Sequence, residues 1–172
     1  MNLLWEHRQK FFACLGVLST LALGLLSGQA QAATASTTFS VTATVAATCT
    51  ISATNLAFGT YTGAVANSNS TITVTCTNTT PYNVGLNAGT APSATVSTRA
   101  MTGPSSATLS YGLFQDATYA TNWGDTIGTG GDTESGTGNG SAQALTVYGQ
   151  IPAGQYPAPG TYTDTITATV TY

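Results

Sequence analysis

Two cysteines and five carboxylates are the side chains on which this 172-residue chain could build chemistry once its first stretch is set aside. The cysteines are Cys49 and Cys76. The acids are Asp116, Asp125, Asp132, Glu134 and Asp164, and Arg99 is the one base. Beyond residue 32 there is no lysine and no histidine. A Ser-His-Asp or Cys-His site needs an imidazole to carry the proton, so neither can be assembled. Zinc sites need more Cys and His than remain, and a phosphate-binding loop ends in a Gly-Lys that is absent. Isopeptide or sortase-type linkage fails for want of a lysine amine. Asp116 or Asp125 could serve glycoside hydrolysis only with a second acid at a set separation, which no spacing here supplies. No catalytic residue, cofactor or metal is expected, and the chain reads as a non-enzyme.

Two softer sites are open. Asp125, Asp132 and Glu134 offer the oxygen ligands that calcium favours, but their spacing matches neither an EF-hand nor a nonapeptide repeat, so they read as solvated loop carboxylates. Tyr119 and Trp123 could form an aromatic platform for a sugar. Aromatic residues in an all-β domain more often pack on the core, which is the reading preferred here.

The compartment follows from the start of the chain. Arg8 and Lys10 precede an apolar run over residues 11–26, and Ala30 and Ala32 then stand at the A-x-A spacing of a signal-peptidase site. The run is short for a membrane span, so residues 1–32 are expected to be a cleaved secretory signal with the cut before Ala33. Cys14 follows Phe11, Phe12 and Ala13, a poor lipobox. Residues 33–172 then make one domain, large enough to bury a core without a metal. In an exported chain Cys49 and Cys76 are expected to form a disulfide, which the chain-entropy model values at about 3.5 kcal/mol. One base against five acids gives no grip on nucleic acid or on an anionic membrane, and no later stretch could insert in a bilayer.

The elements that must position these residues are strands. Apolar residues recur at every second position over residues 39–47, 70–76, 82–86, 108–115, 144–151 and 161–172, with shorter strands expected at 49–53 and 57–61. Residues 152–160 carry three prolines and read as a turn. Residues 116–140 break the alternation, and the glycine-rich part, 128–140, reads as a mobile surface loop. Seven or eight short strands without helical periodicity predict an all-β sandwich. The first strand has two readings. It can be the sandwich's own, or it can add to another molecule's sheet edge, with Phe39, Val41, Ala43 and Val45 filling pockets.

Several segments, in order, carry a resemblance. They are the alternating leader before Cys49-Thr50-Ile51, then Leu56-Ala57-Phe58-Gly59-Thr60-Tyr61, then Ile72-Thr73-Val74-Thr75-Cys76. Further on come the LSYGLF segment at 109–114, YGQIP at 148–152 and GTYTDTI at 160–166, leading to the terminal Tyr172. In these the chain resembles a spore coat protein U domain, the family that includes subunits of archaic chaperone–usher pili. The resemblance implies an immunoglobulin-like β-sandwich that is incomplete, lacking its last strand. Residues 33–47 would be an N-terminal donor strand segment and residues 48–172 the pilin domain. Phe39, Val41, Ala43 and Val45 would be donor-strand residues. Ile166, Ala168, Val170 and Tyr172 would lie on the C-terminal edge strand that a periplasmic chaperone, and later a neighbour, pairs with.

It also implies identical or related pilin subunits and an outer-membrane usher as partners, export through the periplasm to a surface pilus, and a role in adhesion and biofilm. Room for one domain favours a rod or adaptor subunit over a tip adhesin. The alternative is a monomeric exported β-sandwich, either carbohydrate-binding or a spore or cell-coat protein.

Overall fold

The computed structural model describes residues 31–172, so the expected signal, residues 1–32, lies outside the described residues except for its last two positions. Eight strands follow: β1 Cys49–Ala53, β2 Ala66–Cys76, β3 Pro81–Leu86, β4 Arg99–Thr102, β5 Thr108–Phe114, β6 Glu134–Thr137, β7 Gln143–Ile151 and β8 Ala168–Thr171. The only helical element among the described residues is a single 3-10 turn at Pro104–Ser106. The strands form a five-stranded sheet, β1-β2-β7-β5-β4, and a three-stranded sheet, β6-β3-β8. Every pairing is antiparallel.

Alternation explains the core. Ile72, Val74 and Cys76 of β2, Tyr82, Val84 and Leu86 of β3, and Leu109, Tyr111 and Leu113 of β5 are all buried, each separated from the next by one residue of the other face. Val147 and Ile151 of β7 join them, and the inner faces of both sheets make one cluster. The fold is an all-β, immunoglobulin-like sandwich. Cys49 lies opposite Cys76 in the β1–β2 register, and the two form a disulfide.

The chain divides into two units at residue 42, and the sandwich belongs to the second. Residues 31–48 carry no strand. Along them Phe39, Val41 and Val45 stand 85%, 83% and 86% exposed.

Three expectations change. Residues 57–61 are not a strand. They are tied across β2 and β7 by side chains, with Ser68 Oγ donating to the Ala57 carbonyl at 2.7 Å and Tyr61 Oη to the Pro152 carbonyl at 2.6 Å. A Cβ on Gly149 of β7 would stand 2.7 Å from Leu56 Cδ1 and 2.9 Å from Phe58 Cζ, so the glycine makes room for those two side chains.

Residues 128–140 are not simply a mobile loop, because β6 pairs with β3, setting Glu134 against Val84 and Gly136 against Tyr82. Gly136 lies under the Tyr82 ring, where a Cβ would come within 2.4 Å of it. At Gly136, then, a glycine that reads as flexibility serves close packing. Lastly, β8 covers only the end of the expected strand at 161–172, and Thr163 makes a separate bridge to Thr102 of β4.

Arg99, the lone base, is wholly buried. Its Nε donates to Asn87 O at 2.9 Å and Nη1 to Val96 O at 2.6 Å, while Nη2 reaches Leu86 O at 2.8 Å and Trp123 O at 2.7 Å. Burial lowers its pKa from the ordinary value, yet a guanidinium starts so high that it stays charged. The side chain gathers β4, the end of β3 and the Trp123 segment around one set of donors.

Replacing Arg99 with Met would leave four carbonyls short of a donor inside the protein. The expected cost is about 3 kcal/mol or more, read by urea unfolding of the refolded chain. A change within 0.5 kcal/mol, the usual range for surface substitutions, would show that these bonds are dispensable.

Candidate functional site: a groove between two free strand edges

Each sheet has two edge strands, β1 and β4 in the larger and β6 and β8 in the smaller, and the edges of β1 and β8 approach one another. Beyond β1 the rim continues through residues 54–58, and before β8 it is formed by residues 162–166. Between the rims lies a groove of about 560 Å³ above Ile72, Leu86, Leu113 and Val147. It runs into a second cleft of about 720 Å³ edged by Tyr61, Tyr156, Pro157 and Pro159, and the two share Leu56, Phe58, Met101 and Tyr162. The floor is already buried. What the groove leaves half-buried are Leu56, Phe58, Met101, Tyr162 and Ile166 along its sides.

The backbone register shows what the edges offer. Thr54 N donates to Thr71 O at 2.9 Å, and Thr77 N donates to Thr48 O at 2.9 Å. The even-numbered residues of this stretch therefore bond to β2, and the N–H groups of Cys49, Ile51 and Ala53 point the other way. On the opposite rim Asn87 N donates to Thr167 O at 3.1 Å. By the same alternation the N–H groups of Ala168 and Val170 point away from β3. A strand laid in the groove would find amides on both sides and apolar side chains beneath.

Ile166, Ala168 and Val170 pack against the core, and Tyr172 at the end is 57% exposed. The rim before β8 is held by Asp164. Its Oδ1 accepts from Thr90 N and Thr90 Oγ1, both at 2.7 Å, and from Thr165 N at 2.8 Å, and its Oδ2 accepts from Tyr111 Oη at 2.7 Å. Burial works to raise the Asp164 pKa, but the donors from Thr90, Tyr111 and Thr165 outweigh it and hold the carboxyl below its ordinary value. Burial, then the bond to Asp164, pushes Tyr111 well above the usual phenol range, so it remains a donor. From sequence Asp164 was one acid among five, and its partners Tyr111 and Thr90 lie 53 and 74 positions away.

Trp123 takes the core position preferred from sequence, which removes it from any sugar platform. Trp123 is 1% exposed and its Nε1 donates to Val84 O at 2.8 Å, so the indole belongs to the core. Tyr119 meets Phe114 edge to face with ring centres 5.7 Å apart. Asp132 Oδ1 accepts from Thr126 N at 2.8 Å, and burial raises the pKa of Glu134. Among the described residues no three metal-binding side chains gather. The donor-strand set, Phe39, Val41, Ala43 and Val45, is exposed throughout.

The chain is similar to known proteins. The family model described as Spore Coat Protein U domain matches residues 35–169. "Protein U" of Myxococcus xanthus is 36% identical over 130 residues, covering 68% of this chain and 71% of the relative. Among solved structures, one chain in the CsuC-CsuE chaperone–tip adhesion subunit pre-assembly complex, from archaic chaperone-usher Csu pili of Acinetobacter baumannii, superposes with a TM-score of 0.52 at 28% identity. The match covers 75% of this chain and 40% of that one.

Because its folded pKa is depressed, Asp164 contributes stability that is fully present above the unfolded value, near pH 4, and is lost as pH falls through the folded value. Asp164→Asn should therefore be less stable than the native chain at pH 7, with the gap closing below about pH 4. Urea unfolding at pH 7 and at pH 3 checks this, and a gap independent of pH would contradict it.

Proposed function

This chain belongs to the spore coat protein U domain family, and from that premise we propose that it is a non-catalytic structural subunit of a chaperone–usher surface pilus, assembled by donor-strand exchange. The observation that carries the reading is the groove, an apolar trough beside two strand edges whose outward backbone amides face away from their own sheets. Residues 33–47 are the donor segment and residues 48–172 the accepting domain. Phe39, Val41, Ala43 and Val45 of one copy lie along the groove of the next, beside Ile166, Ala168, Val170 and Tyr172.

Residues 39–47 in a strand span about 30 Å at roughly 3.3 Å per residue. Each larger side chain covered contributes about 1.5–3 kcal/mol before the cost of ordering. The contact is heterologous and does not close on itself, so repeating it builds a filament. An open edge of this kind would aggregate if left bare. A periplasmic chaperone that lends a strand and an outer-membrane usher that exchanges it are the partners this requires. Surface display, adhesion and biofilm formation are the role that follows.

A coat in place of a pilus as the final assembly is the second reading, favoured by the family's description as a Spore Coat Protein U domain. It would use the same groove. A sugar-binding monomer loses its support with the burial of Trp123.

The test is to secrete the mature chain to the periplasm with and without residues 33–47 and to size the products. The full chain should polymerise. The truncated chain should survive only with a chaperone or an added peptide of residues 39–47. If the full chain is a stable monomer and truncation merely unfolds it, the leader is the sandwich's own strand and the proposal is wrong.

A further inference from the structure

The second cleft has walls of its own. It lies at the end of the larger sheet where Ala66 pairs with Ile151, away from the end where Cys49 pairs with Cys76. Two loops enclose it, residues 59–63 and 152–160, and Tyr61 and Tyr156 line this cleft but not the groove.

The loops are fastened to one another and to the sheet. Gly154 N donates to Gly63 O at 2.9 Å. Tyr61 Oη donates to Pro152 O at 2.6 Å and accepts from Gln155 N at 3.2 Å. Gln155 Oε1 accepts from Ser110 N at 2.8 Å, and its Nε2 donates to Ser110 O at 2.9 Å. Tyr162 Oη donates to Ala158 O at 2.6 Å on the far side of the loop. Pro152, Pro157 and Pro159 fix three φ angles between these ties. In their midst Tyr156 stands 85% exposed. Its ring lies against Gly63, where a Cβ would come within 2.8 Å of Tyr156 Cε1. A pinned loop that holds an aromatic ring in water has already lost the freedom that binding would otherwise remove. Binding residues concentrate on such loops.

The lining narrows the ligand's chemistry. The rings of Phe58, Tyr61, Tyr156 and Tyr162 stand among threonine hydroxyls, and no lining residue is charged. An anion would need a base, and Arg99, the one base beyond residue 32, is wholly buried. A cation would need a carboxylate, and none lines the cleft. An extended peptide adds to a strand edge, and neither loop is a strand. A neutral ligand with both apolar faces and hydroxyls fits. A pyranose ring has that character, since its C–H face can stack on an aromatic ring while its hydroxyls meet polar tips. The cleft volume of about 720 Å³ falls in the range of small-ligand sites.

We propose that this cleft binds a neutral glycan, with Tyr156 as the ring on which a sugar stacks. The site does not depend on how subunits are joined, so it serves a pilus or a coat equally.

The full secreted chain and its Tyr156→Ala and Tyr119→Ala variants are titrated by calorimetry. The probes are neutral hexasaccharides of glucose, mannose, galactose and N-acetylglucosamine, with polygalacturonate and a polyproline peptide as controls. At least one neutral hexasaccharide should bind with a Kd of about 1 mM or tighter. Tyr156→Ala, a change at an exposed position, should weaken that binding roughly tenfold or more. Tyr119→Ala removes an aromatic ring outside the cleft and should leave it unchanged. Neither control should bind. Failure of all four sugars to bind, or binding that survives Tyr156→Ala, would overturn the proposal. So would binding of the polyproline peptide or polygalacturonate alone. If Tyr156→Ala shortens the polymers while no sugar binds, the cleft is a contact between subunits and the proposal is wrong. A chain that binds sugar through Tyr156 and never polymerises would sink the donor-strand reading and leave this one standing.

Discussion

Backbone N–H groups at a sheet edge must find acceptors in water or in another strand. In this protein two such edges face each other across one trough. The amides of Cys49, Ile51 and Ala53 point outward from one edge and those of Ala168 and Val170 outward from the other, as the ladder bonds of Thr48, Thr54 and Thr167 dictate, and Ala53 and Ala168 lie on the trough itself. Water can satisfy these amides, but it cannot satisfy the half-buried Leu56, Phe58, Met101, Tyr162 and Ile166 between them. One extended strand with alternating apolar residues satisfies both at once, and the leader has that pattern. The open side of the sandwich is thus a demand for a strand, in both hydrogen bonds and apolar area.

The rest of the sandwich serves to keep the trough open and in shape. Arg99 draws the carbonyls of Leu86, Asn87, Val96 and Trp123 onto one guanidinium, which fixes the end of β3 beside the groove floor. Asp164 anchors the opposite rim to Thr90 and to Tyr111, whose own ring meets Phe58 edge-on at 6.2 Å. The disulfide holds β1 to β2 at the point where the leader departs. A chain with almost no charge thus spends two of its few ionisable side chains on geometry.

Much of this was legible in the sequence, and what was not has physical causes. The alternation of Ile72, Val74 and Cys76, or of Leu109, Tyr111 and Leu113, marks strands because one face is buried. β6 has no apolar residue to announce it. It forms because Tyr82 and Val84 of β3 present an edge that Glu134 to Thr137 can complete. The short β4 went unseen for a related reason, since its first residue is a charged arginine that is wholly buried. Trp123 could be read as surface or core, and only its bond to Val84, a residue 39 positions away, decides. The leader's pattern was visible, but the edge that would receive it is made by residues at opposite ends of the domain.

The most direct measurement is residue-resolved amide exchange on the isolated chain and on its assembled form. The account predicts that the amides of Ile51, Ala53, Ala168 and Val170, together with those of alternate residues in 39–47, exchange fast in the isolated chain and slowly in the assembly. If they exchange as fast in the assembly, no strand occupies the groove and subunits associate through some other surface. If residues 39–47 are already protected in the isolated chain, the groove is filled from within and the central claim fails.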